Sequence, residues 1–300
     1  MDIWIPVTLL AAFAQTLRFM LQKHLKSTQL STGGATFARF IYSAPLVAIL
    51  VFGYASFSDQ TMPQIPGGFW PYAIAGGISQ ILATMCVVAL FSHRNFAVGI
   101  TFKKTEVLLS VLVSIVVLGE GVSTLGLVAI LIGLVGVLLL SDPPNATGPW
   151  RHRIFNRASG LGLTSGVFFG ISGVGYRGAS LSLETGDVFL RALTTLACVT
   201  AFQTLILGAY LIWRERGEVI RVLRAWRVAA LVGITSMAGS ICWFTAFTLQ
   251  KVGYVNAVGQ VELLLSLMAT VLFFKEKVSM RELAGVGFLT LSILALIVFA

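Results

Sequence analysis

Four charged side chains stand where the surrounding residues are almost all apolar. Lys103, Lys104 and Glu106 lie together near the start of one apolar stretch, and Glu262 lies within another. Lys103 and Glu106 are three residues apart, so on a helix they share a face and could neutralise each other. Glu262 has no cation in its own stretch. Such groups can hold helices together, contact a charged solute or carry a proton, and the residue types leave all three roles open.

The composition decides which environment surrounds these charges. Of the 300 residues, 57% are hydrophobic and only 11% are charged, and the mean hydropathy is +0.90. Soluble domains carry about 25% charged residues, so this chain has too few polar side chains to cover a surface in water. A disordered chain is excluded as well, because disorder requires low hydrophobicity. The composition therefore predicts an all-α polytopic membrane protein.

Apolar runs long enough to cross a bilayer recur along the whole chain. A helix rises about 1.5 Å per residue and the hydrocarbon core is about 30 Å thick, so a transmembrane helix takes about 20 residues. Little sequence then remains for a soluble domain. Ten transmembrane helices are predicted, at residues 3–21, 34–54, 70–91, 98–118, 122–141, 161–181, 187–213, 228–249, 253–274 and 279–300.

The connections between the predicted spans alternate in charge. Those that follow the first, third, fifth, seventh and ninth spans hold most of the lysines and arginines, and the net charge of the chain is +9. The positive-inside rule makes these connections cytoplasmic. We therefore expect a multi-pass protein of the bacterial inner membrane, with both termini in the periplasm.

The longest basic connection, residues 214–227, carries apolar residues at helical spacing between its arginines. This pattern predicts an interfacial amphipathic helix that contacts membrane lipids. A nucleic-acid site would need more charge and aromatic stacking platforms, so nucleic acid is not expected as a partner. The apolar residues are Val219, Ile220, Leu223 and Trp226.

The chain contains two copies of one sequence pattern. A shift of 156 residues superimposes two long segments without a gap. General apolar similarity would match leucines and valines, but it would not pair glutamates, cysteines and serines. The matched pairs are Cys86/Cys242, Glu106/Glu262, Ser110/Ser266, Glu120/Glu276, Ser123/Ser279 and, at a slightly different shift, Phe37/Phe189 and Arg39/Arg191.

The duplication predicts three segments: a five-helix repeat at residues 1–141, a cytoplasmic linker at 142–159 and a second five-helix repeat at 160–300. The linker contains prolines, which cannot continue a helix. Because each half has an odd number of helices, the second half must cross the membrane in the opposite sense. Inverted repeats are the architecture of secondary transporters, which hold their substrate near the midplane between the halves.

Two segments at equivalent positions carry a family resemblance. Residues 118–123 read LGEGVS and residues 274–279 read FKEKVS, and each is followed by a Gly- and Leu-rich span. The chain thereby resembles the duplicated EamA module of the drug/metabolite transporter superfamily, and within it bacterial exporters of aromatic and neutral amino acids. This resemblance implies export by alternating access. Val107 and Leu263 stand where the family often has proline, which removes the usual cause of a helix kink.

The candidate substrate-binding residues combine charges, amides and aromatic rings. The rings could hold an apolar side chain, while the charges and amides could meet a zwitterion. Arg39 and Arg191 lie near the starts of their spans and are interpreted as snorkelling to the interface, and Arg18 as reaching the cytoplasmic interface. The candidates are Lys103, Lys104, Glu106, Trp243, Tyr254, Asn256, Gln260 and Glu262.

The leading hypothesis is a secondary transporter that exports amino acids or similar small amphiphilic metabolites. Transport of another solute, such as a drug, a purine or a sugar conjugate, is the alternative. An intramembrane lipid enzyme would need a convergent nucleophile, base or metal ligands. The sequence supplies none, so no catalytic residue, metal or cofactor is predicted. Because an unpartnered buried Glu262 would favour its neutral form, Glu262→Gln is expected to impair transport more than Glu106→Gln.

Overall fold

The computed structural model describes residues 2–28, 30–90, 103–141, 157–265 and 280–299, and every regular element in these ranges is helical. Parts of several predicted segments lie outside these ranges. The longest are residues 98–102 of the fourth predicted span, 266–274 of the ninth and 142–156 of the linker. The helices are α1 (Trp4–Thr28), α2 (Thr32–Ile41), α3 (Ser43–Phe57), α4 (Phe69–Leu90), α5 (Glu106–Leu118), α6 (Thr124–Ser141), α7 (Arg157–Leu181), α8 (Val188–Arg214), α9 (Glu218–Arg224), α10 (Trp226–Leu249), α11 (Val252–Val258) and α12 (Met280–Phe299).

Several of these helices have the length and composition of membrane spans. In the described ranges, five helical segments are long and apolar enough to cross a membrane, and shorter apolar helices accompany them. The predicted multi-pass membrane class is confirmed. Each of the ten predicted spans overlaps a described helix, and the count of ten transmembrane helices stays a prediction. The five long segments are Trp4–Lys26, Thr32–Phe57, Phe69–Leu90, Val188–Arg214 and Trp226–Leu249.

The second predicted span is two helices, because the backbone is interrupted at Tyr42 between α2 and α3. Pro45 has no N–H to donate to the carbonyl of Ile41, and its ring crowds that carbonyl. At the interruption, the Ser43 hydroxyl donates to the carbonyl of Arg39, at 2.7 Å. The sequence contained this proline, but the expected single helix over residues 34–54 took no account of it.

The two halves pack against each other in a matching pattern. Helix α1 of the first half packs along α10 of the second half, and α4 of the first half packs along α7 of the second. Exchange of the halves replaces α1 by α7 and α4 by α10, so each of these pairs is the counterpart of the other. The last helices of the two halves, α6 and α12, pack on each other. This exchange relationship places the interface between the halves at the centre of the bundle.

Close backbone contact between α7 and α5 depends on glycines spaced by four in α7. A Cβ on Gly166 would lie 2.9 Å from the carbonyl oxygen of Lys103, and one on Gly170 would lie 3.1 Å from the backbone nitrogen of Ser110. Small residues at this spacing allow membrane helices to approach closely. These glycines bring the charged segment 103–106 against α7.

The second span of each half begins at a capped helix end. The Ser31 hydroxyl accepts a hydrogen bond from the Gly34 N–H at 2.9 Å, and the Asp187 carboxylate accepts one from the Leu190 N–H at 2.7 Å. Both are typical N-cap interactions, which satisfy a backbone donor that has no partner within the helix. The two caps are separated by 156 residues, the same shift that relates the other repeat pairs.

The connection 214–227 contains the short helix α9 and docks on the start of α2. Glu218 is fully buried, and its carboxylate accepts a hydrogen bond from the Ser31 N–H at 2.6 Å and pairs with Arg221 at 2.5 Å. A carboxylate is favourable there because helix N-termini carry partial positive charge. This contact joins the connection after the first span to the connection after the seventh, which the charge pattern places on one side of the membrane.

The outer face of α9 and the start of α10 carry both arginines and exposed apolar side chains. Ile220, Leu223 and Trp226 are 54%, 47% and 58% exposed, while Val219 is half-buried. Val222 points inward and is fully buried. This distribution agrees with an amphipathic helix at the membrane surface, and lipid contact there stays a prediction.

Candidate functional site

Two helices near the centre of the bundle are interrupted at equivalent positions of the halves. The chain turns at Lys104 and Thr105 just before α5, and it turns at Gly259 and Gln260 just after α11. A shift of 156 residues superimposes these two turns to within one residue. Discontinuous helices of this kind form the binding sites of many secondary transporters, so the turns direct attention to the residues beside them.

The second interruption occurs without the proline that the family often has there. A Cβ on Gly259 would lie 2.5 Å from Cη2 of Trp243, so the indole ring can take this position only against glycine. Beyond Gly259, the N–H groups of Gln260, Glu262 and Leu263 donate to carbonyls three residues earlier, which is the 3₁₀ pattern. Without a proline no kink is expected there, and the structure has one.

A small cavity lies beside these turns, between the two halves. Its volume is about 50 Å³. One water needs about 10–15 Å³ by a comparable measure, so the cavity holds only a few waters in this conformation. Residues of α1, α2, α4 and the segment 103–106 face residues of α7, α10 and α11 across it. Its charged and amide residues are Gln15, Arg39, Gln80, Lys103, Glu106 and Asn256.

Two ion pairs lie at and behind the cavity wall. Lys103 Nζ is 3.5 Å from a carboxylate oxygen of Glu106, and Lys104 Nζ is 3.2 Å from one of Glu262. Gln15 also donates to Glu262, at 2.9 Å. The sequence placed both lysines beside Glu106 and left Glu262 without a partner. That expectation is wrong, because Lys104 reaches across from the other half.

The structure brings some of the predicted site residues together and leaves others apart. Lys103, Glu106, Trp243 and Asn256 line the cavity. Two further candidates, Lys104 and Gln260, lie in the turns themselves and line a separate cavity of about 10 Å³.

The aromatic wall of the cavity comes mainly from α10 and α7. The rings of Trp243 and Phe247 stack with their centroids 5.6 Å apart, and those of Tyr176 and Phe244 stack at 4.1 Å. Phe169 faces Lys103, whose Nζ lies 4.9 Å from the ring centroid. The cavity thus offers flat apolar surfaces directly beside charged and amide groups. Of these rings, Trp243 belongs to the candidates predicted from the sequence.

Arg39 was not predicted as a cavity residue, and it lies in the cavity wall. Only 6% of the residue is exposed. Its Nε donates to the Ser236 hydroxyl at 2.9 Å, and Nη1 and Nη2 donate to the hydroxyls of Thr84 and Ser240 at 3.1 and 3.3 Å. With its amide oxygen towards the guanidinium, Gln80 accepts from Nη1 at 2.7 Å and from Nη2 at 2.9 Å. All of these partners are neutral.

Arg39 and Arg191 lie at different depths in their helices, although the sequence pairs them as repeat equivalents. Arg39 follows its helix cap, Ser31, by eight residues, whereas Arg191 follows its cap, Asp187, by four. At about 1.5 Å per residue, Arg39 lies about 12 Å along the helix and Arg191 about 6 Å. The constant shift of 156 pairs Arg39 with Thr195 instead. The expectation that Arg39 reaches the interface is therefore wrong.

Arg18 also lies inside the bundle rather than at the interface. It is 2% exposed, its guanidinium carbon lies 4.4 Å from the centroid of the Phe19 ring, and Nη2 donates to the Gln15 side-chain oxygen at 3.4 Å. Contact with an aromatic face is favourable for a desolvated cation. Arg18 lies behind Gln15, which itself lines the cavity, so it adds positive charge close to the cavity wall.

A second polar cluster lies away from the cavity, where α5 ends. Gly119 adopts the left-handed conformation with φ 68°, which ends the helix and directs the chain to Glu120. Arg177 binds Glu120 through two hydrogen bonds of 2.6 and 2.8 Å. It also donates to the carbonyls of Phe247 and Gln250, at 2.7 and 3.0 Å. We call this group the Arg177 clamp.

Tyr254 belongs to the neighbourhood of this clamp. Its hydroxyl accepts from the Ser123 N–H at 2.8 Å and donates to the Ser123 hydroxyl at 3.2 Å. Lys251 holds the same loop, donating to the Gly121 carbonyl at 2.8 Å. The structure therefore places Tyr254 apart from the cavity residues, and its geometry is that of a side chain fixing the α5–α6 connection.

Matching helical halves around a polar cavity at their interface define a multi-pass membrane protein with the architecture of a transporter. A family model of the EamA-like transporter family matches residues 2–142 and again residues 157–298. The chain belongs to this family, which is part of the drug/metabolite transporter superfamily. The two matches agree with the duplication in the sequence.

A comparison with solved structures supports the same fold. A chain described only as "Crystal structure of protein" superimposes with a TM-score of 0.67 at 14% identity, over 97% of this chain and 99% of that one. At this identity the likeness concerns the fold alone. No curated protein matches the chain in sequence.

Proposed function

We propose that this chain is a secondary transporter that exports aromatic or neutral amino acids, or similar small amphiphilic metabolites, across the bacterial inner membrane. Membership of a transporter family supports the general activity. The preference for an amphiphilic solute rests on one observation, the composition of the cavity wall. Stacked rings lie there directly beside an arginine, a lysine–glutamate pair and three amides.

Alternating access fits the size and place of the cavity. At about 50 Å³ it is far smaller than the pockets of about 300–1,000 Å³ that bind small molecules. An amino acid could enter only after the halves had moved apart. The turns at 104–105 and 259–260 lie within three residues of Lys103, Glu106 and Asn256, which line the cavity from both halves. Such 3₁₀ or turn interruptions within helices commonly serve as hinges.

Counterflow in proteoliposomes tests the proposal. Vesicles loaded with unlabelled L-phenylalanine should accumulate external labelled L-phenylalanine transiently, and empty liposomes should not. Leucine and valine should exchange as well if the cavity accepts neutral side chains generally. Flux of a purine, a drug or a sugar conjugate without flux of any amino acid would favour the alternative solute. Release of a modified lipid without any flux would favour an enzyme.

The proposed orientation has its own test in single-cysteine variants of a protein without Cys86, Cys198 and Cys242. Arg216 is exposed in the connection 214–227, and Asp2 is exposed at the other end of the bundle. In intact spheroplasts, an impermeant maleimide should label Asp2→Cys and leave Arg216→Cys unmodified until the membrane is opened. The reverse pattern would contradict cytoplasmic placement of the basic connection.

A further inference from the structure

We propose that Arg39 is the anion-binding residue of the central cavity and pairs with the carboxylate of the transported solute. This inference rests on the proposed transport function and specifies which end of the solute the protein recognises.

The charge balance around the cavity supports an anionic ligand group. Among the described residues, four basic side chains and two carboxylates lie in or directly behind its wall. Each lysine has a glutamate partner, Glu106 or Glu262. A net positive charge therefore remains in a region shielded from water, where an unneutralised charge is costly. The basic residues are Arg18, Arg39, Lys103 and Lys104.

The surroundings of Arg39 leave its charge unneutralised. In the part of the chain that the structure describes, no carboxylate lies within ion-pair distance of its guanidinium. Its partners are three hydroxyls and the amide of Gln80. These partners satisfy its N–H donors and hold the guanidinium in place, but they carry no net charge. An incoming carboxylate could displace two of them and form a bidentate pair, which is stronger than neutral hydrogen bonds.

The rest of the wall gives this ligand a defined orientation. Nη2 of Arg39 donates to the hydroxyl of Ser240, three residues before Trp243 on α10. One turn further along this helix lies Phe247, which stacks on Trp243. A solute whose carboxylate meets Arg39 would place its apolar portion on these rings. An ammonium group would then lie towards Glu106, the carboxylate that lines the cavity.

Competition against L-phenylalanine counterflow in the wild-type protein tests the proposal without any substitution. The competitors are 3-phenylpropionate, which keeps the carboxylate and lacks the amine, and L-phenylalaninamide and phenethylamine, which lack the carboxylate. We expect 3-phenylpropionate to compete at least about tenfold better than either compound without a carboxylate, because a charged hydrogen bond is lost in both. Equal inhibition by phenylalanine and its amide would overturn the assignment.

Variants of Arg39 identify the residue responsible. Arg39→Gln should weaken competition by phenylalanine about tenfold or more and remove its advantage over phenylalaninamide. Arg39→Lys, which keeps the charge, should retain part of that advantage. Arg191→Gln is the matched control, because the Arg191 side chain donates to the Ser180 carbonyl and does not line the cavity, and it should behave as wild type. An advantage of phenylalanine over phenylalaninamide that survives Arg39→Gln would overturn the assignment.

Ligand-induced thermal stabilisation in detergent separates this proposal from the proposed function. Matched acid and amide pairs are added to the wild type and to Arg39→Gln, and the apparent Tm is recorded. Stabilisation by the acids alone, lost in Arg39→Gln, would support the anion site even if no amino acid were transported. Amino-acid flux with equal stabilisation by acids and amides would support the transporter and overturn the anion site. Absence of both flux and stabilisation would overturn both.

Discussion

Arg39 and Arg177 are both buried arginines, and they differ in what surrounds them. Arg177 forms a bidentate pair with Glu120 and donates to main-chain carbonyls at the end of α10. Arg39 has only neutral side-chain partners in the described ranges. Arg177, on α7, binds the α5–α6 connection through Glu120, whereas Arg39 lies in the wall of the central cavity.

The comparison separates charges that hold the fold from charges that remain available to a ligand. Removing one member of a buried pair leaves the other charge uncompensated in a poorly solvated place. Arg177 is therefore tied to its position by both charge and geometry. Loss of Arg39 would leave hydroxyls without a donor but would also remove a buried charge, so its net effect on folding is expected to be small.

The largest expected effect is on stability at the clamp. Arg177→Gln should lower the free energy of unfolding by about 3 kcal/mol, which corresponds to an apparent Tm lower by roughly 6 °C or more. Arg39→Gln should change the Tm by less than about 2 °C. Thermal unfolding followed by size-exclusion chromatography in detergent measures both. An equal loss of stability in the two variants would remove the distinction between the two regions.

The second prediction concerns the two glutamates of the cavity region. Glu262→Gln should reduce the initial counterflow rate about tenfold, which corresponds to the loss of one charged hydrogen bond, and Glu106→Gln should reduce it less. Lys104, the partner of Glu262, has a fully buried side chain, whereas Lys103 also lies 4.9 Å from the Phe169 ring. Loss of Glu262 therefore leaves Lys104 buried without its carboxylate partner, whereas Lys103 keeps its contact with the Phe169 ring after loss of Glu106.

A double variant shows whether the transport loss of Glu262→Gln comes from the unpaired Lys104. If an unpaired Lys104 causes the defect of Glu262→Gln, adding Lys104→Met should restore the Tm, and the two substitutions should be strongly non-additive. Transport should recover only if Glu262 has no direct part in it. Additive losses of stability would contradict the pairing of Lys104 with Glu262.

Much of the fold could be predicted because apolar length and repetition are visible in one sequence. The multi-pass class follows from hydropathy, the two halves follow from pairs such as Cys86/Cys242, and the close approach of α7 follows from Gly166 and Gly170. Within the site, Lys103 and Glu106 could be paired because they are neighbours on one helix. These features all depend on local spacing or on direct comparison of the halves.

The remaining features depend on contacts that spacing does not determine. Lys104 pairs with Glu262 because helices of different halves meet at the turns, and no spacing within either helix indicates which lysine takes which glutamate. At the kink, the Trp243 ring packs so closely on Gly259 that only glycine fits, and this contact between separate helices is not visible in residue spacing. The pairing of Arg39 with Arg191 predicts the wrong depth for Arg39 because it departs by four residues, about one helical turn, from the shift of 156. The caps at Ser31 and Asp187 keep that shift and pair Arg39 with Thr195.

The smallest expected effect on stability and transport is at Asp187. Its carboxylate is exposed at the start of α8 and accepts hydrogen bonds from neighbouring groups. Burial alone would raise the pKa of Asp187, but hydrogen bonds from the Leu190 N–H, Gln60 and Tyr54 outweigh it and hold this pKa below its usual value. A lowered carboxyl pKa stabilises the fold above the unfolded pKa of about 4, and this stabilisation is lost as the pH falls through the folded value.

Asp187→Asn should keep the helix cap, because asparagine is an equally good N-cap, while removing the titrating group. Between pH 6 and a pH of about 3, the wild-type Tm should therefore fall further than the Tm of the variant. Counterflow at pH 7 should stay within about twofold of wild type, since hydrogen bonds at an exposed helix end contribute little to a distant site. Thermal unfolding across this pH range and counterflow at neutral pH measure the two effects. A transport defect in Asp187→Asn as large as that in Arg39→Gln would mean that charges at the helix ends also act on the solute. The distinction between charges that hold the fold and charges available to a ligand would then be lost.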